Sequence, residues 1–302
     1  MESQNKNVFY ILMFFAMFAW GLSWVSAKFV STYINEYELI FLRNILTLCS
    51  LIPILIFTKK YFKINLKSFA LSFLASIFMI LYMKYYFLGL QHGTASLGGT
   101  FVTTLIPINT FILMALFFKK KTSRKDIFAL VLGVTGVLTI IHIWTFNIEQ
   151  IFALENIYFF LAALLWSLIT ITSSKSTQTS PIVFSFYMYI ISTILVLLFF
   201  LDVKTIAFET FDRLFWFNMF IISIVSTTFA TTIYFIGIEK LGAKEVTSFI
   251  FLVPFFAIAT SAIFLKEEIT VSIIIGTALT IVALAILNNI VVFNKNKKAD
   301  LN

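Results

Sequence analysis

Long apolar stretches, separated by short polar segments, run through the whole chain. Each stretch holds about 18–25 residues, and at about 1.5 Å per residue a helix of that length crosses about 30 Å of hydrocarbon. The pattern therefore predicts an all-α integral membrane protein with ten transmembrane helices. The predicted spans are 8–28, 36–57, 66–90, 95–118, 125–143, 157–175, 181–201, 214–238, 244–265 and 270–293.

The composition agrees with a bilayer as the natural solvent. Of the 302 residues, 60% are hydrophobic and 12% are charged, whereas a soluble protein averages about 45–50% apolar and about 25% charged residues. The net charge of +8 comes from loops between apolar stretches, where membrane topology accounts for it, so we expect no nucleic-acid partner. One cysteine and two isolated histidines predict neither an internal disulfide nor a metal or cofactor site.

Lysine and arginine residues are unequally divided between the two sides of the predicted bundle. If the N-terminus is inside, 16 of these cations fall in inside segments and three in outside loops. Because positive charges accumulate on the cytoplasmic side, we expect both termini to face the cytoplasm of a bacterium-like cell, with the protein in its inner membrane. The largest clusters are "KKYFKINLK" after the second span and "KKKTSRK" after the fourth.

The two halves of the chain resemble each other. "YFLGLQHGTASLGGTFVTTLIP" from Tyr86 parallels "YFIGIEKLGAKEVTSFIFLVP" from Tyr234, and "FAWGLSWVSAK" near the start parallels "ALLWSLITITSSK" in the second half. Since each copy holds five helices, an odd number, the second copy must cross the membrane in the opposite direction. The sequence predicts two inverted five-helix repeats, 1–146 and 147–302, around a central cavity, which is an arrangement typical of transporters.

Two prolines and one charge reversal stand at equivalent positions of the repeats. Pro107 precedes Lys120 by 13 residues, and Pro254 precedes Glu267 by the same 13. A proline inside a helix removes a backbone hydrogen bond, so Pro107 and Pro254 are candidate hinges.

These motifs resemble the EamA-like family of the drug/metabolite transporter superfamily. The resemblance covers nearly the whole chain and rests on "AWGLSW", "FLR", "GTAS" to "LIP", and "LVP" with "LKEE", in that order. It implies ten helices, both ends inside, and a central cavity that opens to alternate sides. It also implies export of amino acids or related metabolites as the commonest activity. The chain departs from the family at Lys120, where the first repeat usually carries a glutamate.

Aromatic residues near the middle of the spans are the first candidates for a solute path. Trp20, Trp24 and Lys28 are four residues apart and therefore share one helical face. Trp166 takes a depth similar to that of Trp20 in the second repeat. Buried indoles need partners for their N–H groups, which a polar cavity supplies, although helix packing is the alternative interpretation.

Three cations fall in the outer half of the predicted bundle: Lys28, Arg43 and Lys84. A charge at this depth costs a few kcal/mol unless it is paired, hydrated or able to reach the surface. Lys84 could extend to the outer surface. Glu36 or Glu38 could pair with Lys28 or Arg43 as a structural contact. The third alternative is that the cations face the cavity and bind an anionic group of the solute.

The tyrosines of the third span divide between two faces. Tyr82 and Tyr86 share one face, and Lys84 is turned from both by about 200°, with Tyr85 near the side of the lysine. Only one face can point squarely into a cavity. The residues proposed to line it are Trp20, Trp24, Lys28, Arg43, Tyr82, Lys84, Tyr85, Trp166 and Tyr234.

The sequence thus predicts a secondary transporter, an exporter or exchanger that moves a small metabolite by alternating access. An amino acid is the favoured solute, and a nucleoside, an amine or a drug-like compound is the alternative. A membrane-embedded enzyme acting on a lipid-type substrate would need clustered acidic or histidine residues, which the sequence lacks. No Asp or Glu lies inside a predicted span away from its ends, so proton coupling through a buried carboxylate is not indicated. The expected partners are the bilayer and the solute, and a homodimer is considered as a further partner state.

Overall fold

The computed structural model describes residues 3–59, 62–118, 123–145, 147–241 and 248–287, and those residues form a bundle of helices. The first repeat contributes five helices in the predicted places. They are α1 (Ser3–Val30), α2 (Glu36–Phe57), α3 (Leu66–His92), α4 (Ala95–Phe118) and α5 (Arg124–Ile140).

The second repeat is less regular. After a one-turn helix at Ile148–Ile151, its first two long helices are α6 (Leu154–Ser174) and α7 (Pro181–Phe199). α8 joins Arg213–Phe220, a π-helical stretch at Ile221–Ala230, and Thr231–Leu241. α9 joins a 3₁₀ turn at Ser248–Phe251, Leu252–Thr260, and a second π-helical stretch at Ser261–Leu265. α10 covers Val271–Leu287. Two parts of the predicted spans, residues 244–247 of the ninth and 288–293 of the tenth, lie outside the described residues.

The all-α membrane fold predicted from the hydropathy pattern is confirmed. Within the described ranges, seven helices are long and apolar enough to cross a membrane, and two shorter apolar helices, Leu252–Leu265 and Val271–Ala283, accompany them. The predicted cytoplasmic end is the one with the α2–α3 and α6–α7 connections. The predicted outer end holds the α1–α2 and α3–α4 connections. Several cations that favour this orientation lie outside the described residues: Lys60, Lys119, Lys120, Lys121, Lys244, Lys295, Lys297 and Lys298.

Polar residues at the helix starts show why the helices begin where they do. Asn35 caps α2: its Oδ1 accepts from Glu38 N at 3.0 Å, and Glu38 Oε2 accepts from Asn35 N at 2.9 Å. Ser123 and Asp126 form the same reciprocal capping box at α5. The Glu38 carboxylate therefore binds the backbone at the start of its own helix.

The contacts between helices of the two repeats are symmetric. A contact between two helices is matched by a contact between their counterparts in the other repeat. α2 packs on its counterpart α7, and α5 packs on its counterpart α10. α3 lies against α6 as α8 lies against α1, and α4 lies against α6 as α9 lies against α1. These matched contacts are what an inverted repeat with an axis in the membrane plane requires. The interior between the halves, lined by α1, α2, α3, α6, α7 and α8, is where a solute site is expected.

Candidate functional site

Arg43 lies within the α2 span and contacts the second repeat. It lies in the third turn of α2, and its Nε and Nη2 both donate to Thr227 Oγ1 on α8, at 3.1 and 2.9 Å. A guanidinium has five N–H donors, so three remain for another acceptor. Within the described part of the chain, no carboxylate forms an ion pair with it. The described residues thus supply no counter-charge to this cation.

Three buried tyrosines surround this cation. Tyr82 and Tyr86 come from α3, Tyr189 comes from α7, and Arg43 lies close enough to each hydroxyl for a coulombic interaction. The side chains are only 9%, 3% and 4% exposed, respectively. Their surroundings are of low polarity, which strengthens the attraction between a guanidinium and any anion that enters.

Tryptophans extend the aromatic lining on both sides. The Trp166 ring on α6 is 4.7 Å from that of Tyr82, and the Trp24 ring on α1 is 4.6 Å from that of Tyr86. Tyr82 and Tyr86 themselves stack at 5.8 Å. The cluster around Arg43 is thus aromatic on both sides.

The π-helical stretch of α8 brings Thr227 to this site. The hydroxyls of Thr227, Thr228 and Thr231 each donate to the carbonyl five residues earlier, at 2.7, 3.1 and 3.4 Å. π-helical stretches are rare and are frequent at functional sites. The counterpart helix α3 is a regular α-helix. The two repeats therefore have different conformations at their equivalent central helices.

A small cavity of about 10 Å³, with room for about one water molecule, lies beside Thr227 on the side of the predicted cytoplasmic end. It lies between α2, α7 and α8. Its walls are Leu51, Ile182, Ser185, Tyr189, Thr227, Thr231 and Thr232. Hydroxyl groups and aliphatic surface alternate around it, so it offers hydrogen bonds and apolar contact without a further charge.

Lys84 contacts the start of α2. Its Nζ donates to Tyr37 Oη at 3.1 Å and lies 5.5 Å from the centre of the Tyr37 ring. Tyr37 is in the first turn of α2 and stacks on Phe200 at 4.9 Å. The Lys84 ammonium thus reaches toward the predicted outer end, as expected for the alternative in which the lysine extends to the surface.

Two further candidates also lie apart from the Arg43 cluster. Tyr85 stacks on Tyr158 at 6.0 Å. Lys28 Nζ donates to the carbonyls of Leu90 and Gly93, at the end of α3. Both side chains belong to the predicted outer end of the bundle.

Trp20 and Tyr234 form a second aromatic pair on the α1–α8 side. Their rings are 5.1 Å apart, and Trp20 Nε1 donates to the carbonyl of Ser226 at 3.2 Å. Pro107 lies inside the continuous helix α4, whereas Pro254 comes shortly after the 3₁₀ turn that opens α9. The hinge role of the two prolines stays a prediction.

Sequence reasoning proposed neither Tyr189 nor Thr227 as a site residue. One signal was available for Thr227, because the segment "STTFATT" concentrates hydroxyl groups in an otherwise apolar span. A buried arginine with no acidic residue in the spans also requires neutral acceptors from another helix. Tyr189 carries no comparable signal. Among the residues that the structure describes, no group of three or more His, Cys, Asp or Glu side chains could hold a metal ion.

Comparison with known proteins supports the architecture. The family model described as "EamA-like transporter family" matches the chain twice, at residues 7–142 and 153–289. A solved crystal structure, described only as that of a protein, is 13% identical and covers 94% of this chain and 97% of its own, with a TM-score of 0.65. At this identity, the likeness shows the fold alone. Comparison with curated proteins gives no significant match.

Proposed function

Because the chain belongs to the EamA-like transporter family, and is thus a multi-pass membrane transporter and not an enzyme, we propose that its solute is a small carboxylate-bearing metabolite, with an amino acid as the favoured class. The observation that supports this proposal is the Arg43 guanidinium, which is bound only by Thr227 within the described residues. A carboxylate that accepts two parallel N–H bonds is the best geometric match for the donors that remain.

The surroundings of Arg43 suit the remainder of an amino acid. Tyr82, Tyr86 and Trp166 offer rings to an apolar or aromatic side chain. The α-ammonium group can lie over a tyrosine ring or donate to threonine hydroxyls. A nucleoside, an amine or an uncharged drug-like solute would leave the arginine without a counter-charge.

We infer export by alternating access, which the same arrangement supports. The small cavity beside Thr227, the residue that binds Arg43, lies toward the predicted cytoplasmic end, which supports a solute path from that side. The different conformations of α3 and α8 agree with two repeats that exchange shapes during the cycle. The proposed location is the cell inner membrane, with both termini in the cytoplasm.

Counterflow into proteoliposomes tests the solute class. Vesicles preloaded with individual amino acids, organic acids, nucleosides or amines are diluted into the matching radiolabelled compound, and accumulation identifies a transported solute. We expect carboxylate-bearing compounds to accumulate. Accumulation confined to amines or nucleosides would contradict the proposal.

Thr227 provides a second, independent prediction. Thr227→Val removes the only acceptor that the described structure gives Arg43, so the guanidinium loses its orientation and solute affinity should fall about tenfold. Thr227→Ser keeps the hydroxyl and should stay within about twofold of the wild type. Titration of the purified variants with the transported solute measures both. Equal affinities of the valine and serine variants would show that Thr227 does not orient Arg43.

A further inference from the structure

The π-helical stretch of α8 is unusually long. It covers ten residues, Ile221–Ala230, whereas π-helices are rare and mostly occur as single turns inside α-helices. Ser223 and Ser226, in the middle of the stretch, are buried. A rarely populated backbone conformation persists only where the surrounding structure favours it over the alternatives. We therefore looked for contacts from neighbouring helices that favour the π-helical form.

One face of α2 binds this stretch at three places. Arg43, Thr47 and Ser50 are four and three residues apart, so they share a helical face. The contact of Arg43 is described above. Thr47 Oγ1 donates to the Ser223 carbonyl at 3.3 Å, and the hydroxyls of Ser50 and Thr228 are 2.6 Å apart. A helix of the first repeat thus binds both side chains and backbone of the π-helical stretch.

α1 provides a second donor to the backbone of the stretch. Trp20 Nε1 donates to the Ser226 carbonyl at 3.2 Å. Hydroxyls of α8 itself reach the same two carbonyls: Thr228 donates to Ser223 at 3.1 Å, and Thr231 donates to Ser226 at 3.4 Å. Each of these buried carbonyls therefore accepts one bond from a hydroxyl five residues later and one bond from the first repeat.

The counterpart helix α3 shows that a buried hydroxyl alone does not produce a π-helix. Ser76 on α3 donates to the carbonyl of Ser72, four residues earlier, at 2.6 Å, and α3 is a regular α-helix. This four-residue bond is the usual one for serine and threonine inside helices. The donors from α1 and α2 are thus the contacts that can account for the wider turn of α8.

The π-helical form determines the direction of Thr227. Its hydroxyl donates to the Ile222 carbonyl, five residues earlier, at 2.7 Å, and accepts from Arg43 Nη2 at 2.9 Å. A return to the four-residue spacing of an α-helix would turn Thr227 about the helix axis relative to Arg43. Contacts that keep the π-helical form therefore also keep the Thr227 hydroxyl on the guanidinium.

We propose that Thr47, assisted by Trp20, is a positioning residue of the solute site. Its bond to Ser223 keeps α8 in the π-helical form that directs Thr227 at Arg43, and it thereby raises the affinity for a carboxylate. Thr47 is 0% exposed, so it acts through α8 and not on the solute. This inference rests on the carboxylate site proposed above and adds the residues that maintain its geometry.

Hydrogen–deuterium exchange of peptides from 221–230, measured by mass spectrometry, tests the effect on α8 without a solute. Thr47→Val removes one donor, and we expect exchange in this segment to rise about fivefold, the effect of one hydrogen bond. Thr47→Ser keeps the hydroxyl and should exchange like the wild type. Unchanged exchange in Thr47→Val would overturn the proposal.

Thr104→Val is the matched control for this measurement. Thr104 is also 0% exposed, but its hydroxyl donates to the Thr100 carbonyl of its own helix, α4, at 2.7 Å. The same substitution there should leave exchange of 221–230 at the wild-type rate. An equal rise in Thr104→Val and Thr47→Val would show a general loosening of the bundle, and Thr47 would then have no positioning role.

Titration of the purified variants with phenylalanine connects the conformation of α8 to the site. We expect Thr47→Val to bind about fivefold more weakly, and Thr47→Ser to stay within about twofold of the wild type. In combination with Thr227→Val, the change at Thr47 should cause no further loss, so the double variant stays about tenfold weaker than the wild type, whereas independent effects would multiply to about 50-fold.

Two results of the titration would overturn the positioning role: raised exchange with unchanged affinity in Thr47→Val, or losses that multiply in the double variant. A wild type that binds no phenylalanine would instead contradict the proposed solute. The exchange rates would still decide whether Thr47 holds α8 in the π-helical form, because that measurement requires no solute.

Discussion

Arg43→Gln should weaken binding of the carboxylate solute by about 100-fold. The variant keeps a polar side chain of similar length but removes the charge and the paired donors that match a carboxylate. A charge-assisted hydrogen bond contributes about 1.5–3 kcal/mol, which corresponds to about 10- to 100-fold in affinity. The three buried tyrosines around Arg43 exclude water that would otherwise weaken the interaction. Titration calorimetry on purified protein measures the change.

Lys84→Gln is the matched control for that experiment, because it removes a cation of similar depth that donates to Tyr37 instead of facing Arg43. Its solute affinity should remain within about twofold of the wild type. If Lys84→Gln lost affinity while Arg43→Gln kept it, the outer lysine would be the solute-binding cation and the site would have to be moved to α3. Arg43→Lys should bind weakly, since an ammonium does not offer parallel donors.

Gly276→Val should destabilise the folded protein by at least about 2–3 kcal/mol. α5 and α10 cross at Gly136 and Gly276, where a Cβ on Gly276 would lie 2.5 Å from the Gly136 carbonyl oxygen and 2.9 Å from Ile140 N. Both are backbone atoms, so no side-chain rotation relieves the overlap and the two helices must separate. Close contact through small residues is a principal source of helix association in a bilayer, where lipid competes for apolar surface.

Thermal unfolding in detergent checks this result, with Ile274→Val as the control on the same helix. Ile274 is 55% exposed, so its change removes one methyl group facing lipid and should alter stability little. Equal unfolding temperatures for Gly276→Val and the wild type would show that α5 and α10 do not pack as closely as described.

The helices could be predicted from the sequence because the bilayer imposes their length. Every backbone group in the hydrocarbon must be satisfied within its own helix, so each span appears as an apolar run of nearly fixed size. Repeats of odd helix number then require inversion, and the matched contacts of α2 with α7 and of α5 with α10 follow.

The direction of each side chain could not be obtained in the same way. Hydropathy gives the depth of a residue but not the rotation of its helix, so Lys84 and Arg43 were equivalent candidates until their partners, Tyr37 and Thr227, were known. The π-helical stretch in α8 shifts the helical phase after Ile221, and no local residue pattern distinguishes it from a regular helix. Glu38 was considered as a partner for Arg43, but its carboxylate accepts a hydrogen bond from the backbone N–H of Asn35, the N-cap residue of the same helix.

The most direct test of the Arg43 site compares phenylalanine with phenylalaninol, which differ by the carboxylate alone. A ligand that binds the folded state raises stability by RT ln(1 + [L]/Kd), about 2.7 kcal/mol at a hundredfold excess over Kd. We expect phenylalanine to raise the unfolding temperature of the wild type, phenylalaninol to leave it unchanged, and Arg43→Gln to respond to neither. Equal stabilisation by both compounds, or a phenylalanine response that survives in Arg43→Gln, would contradict a carboxylate site at Arg43.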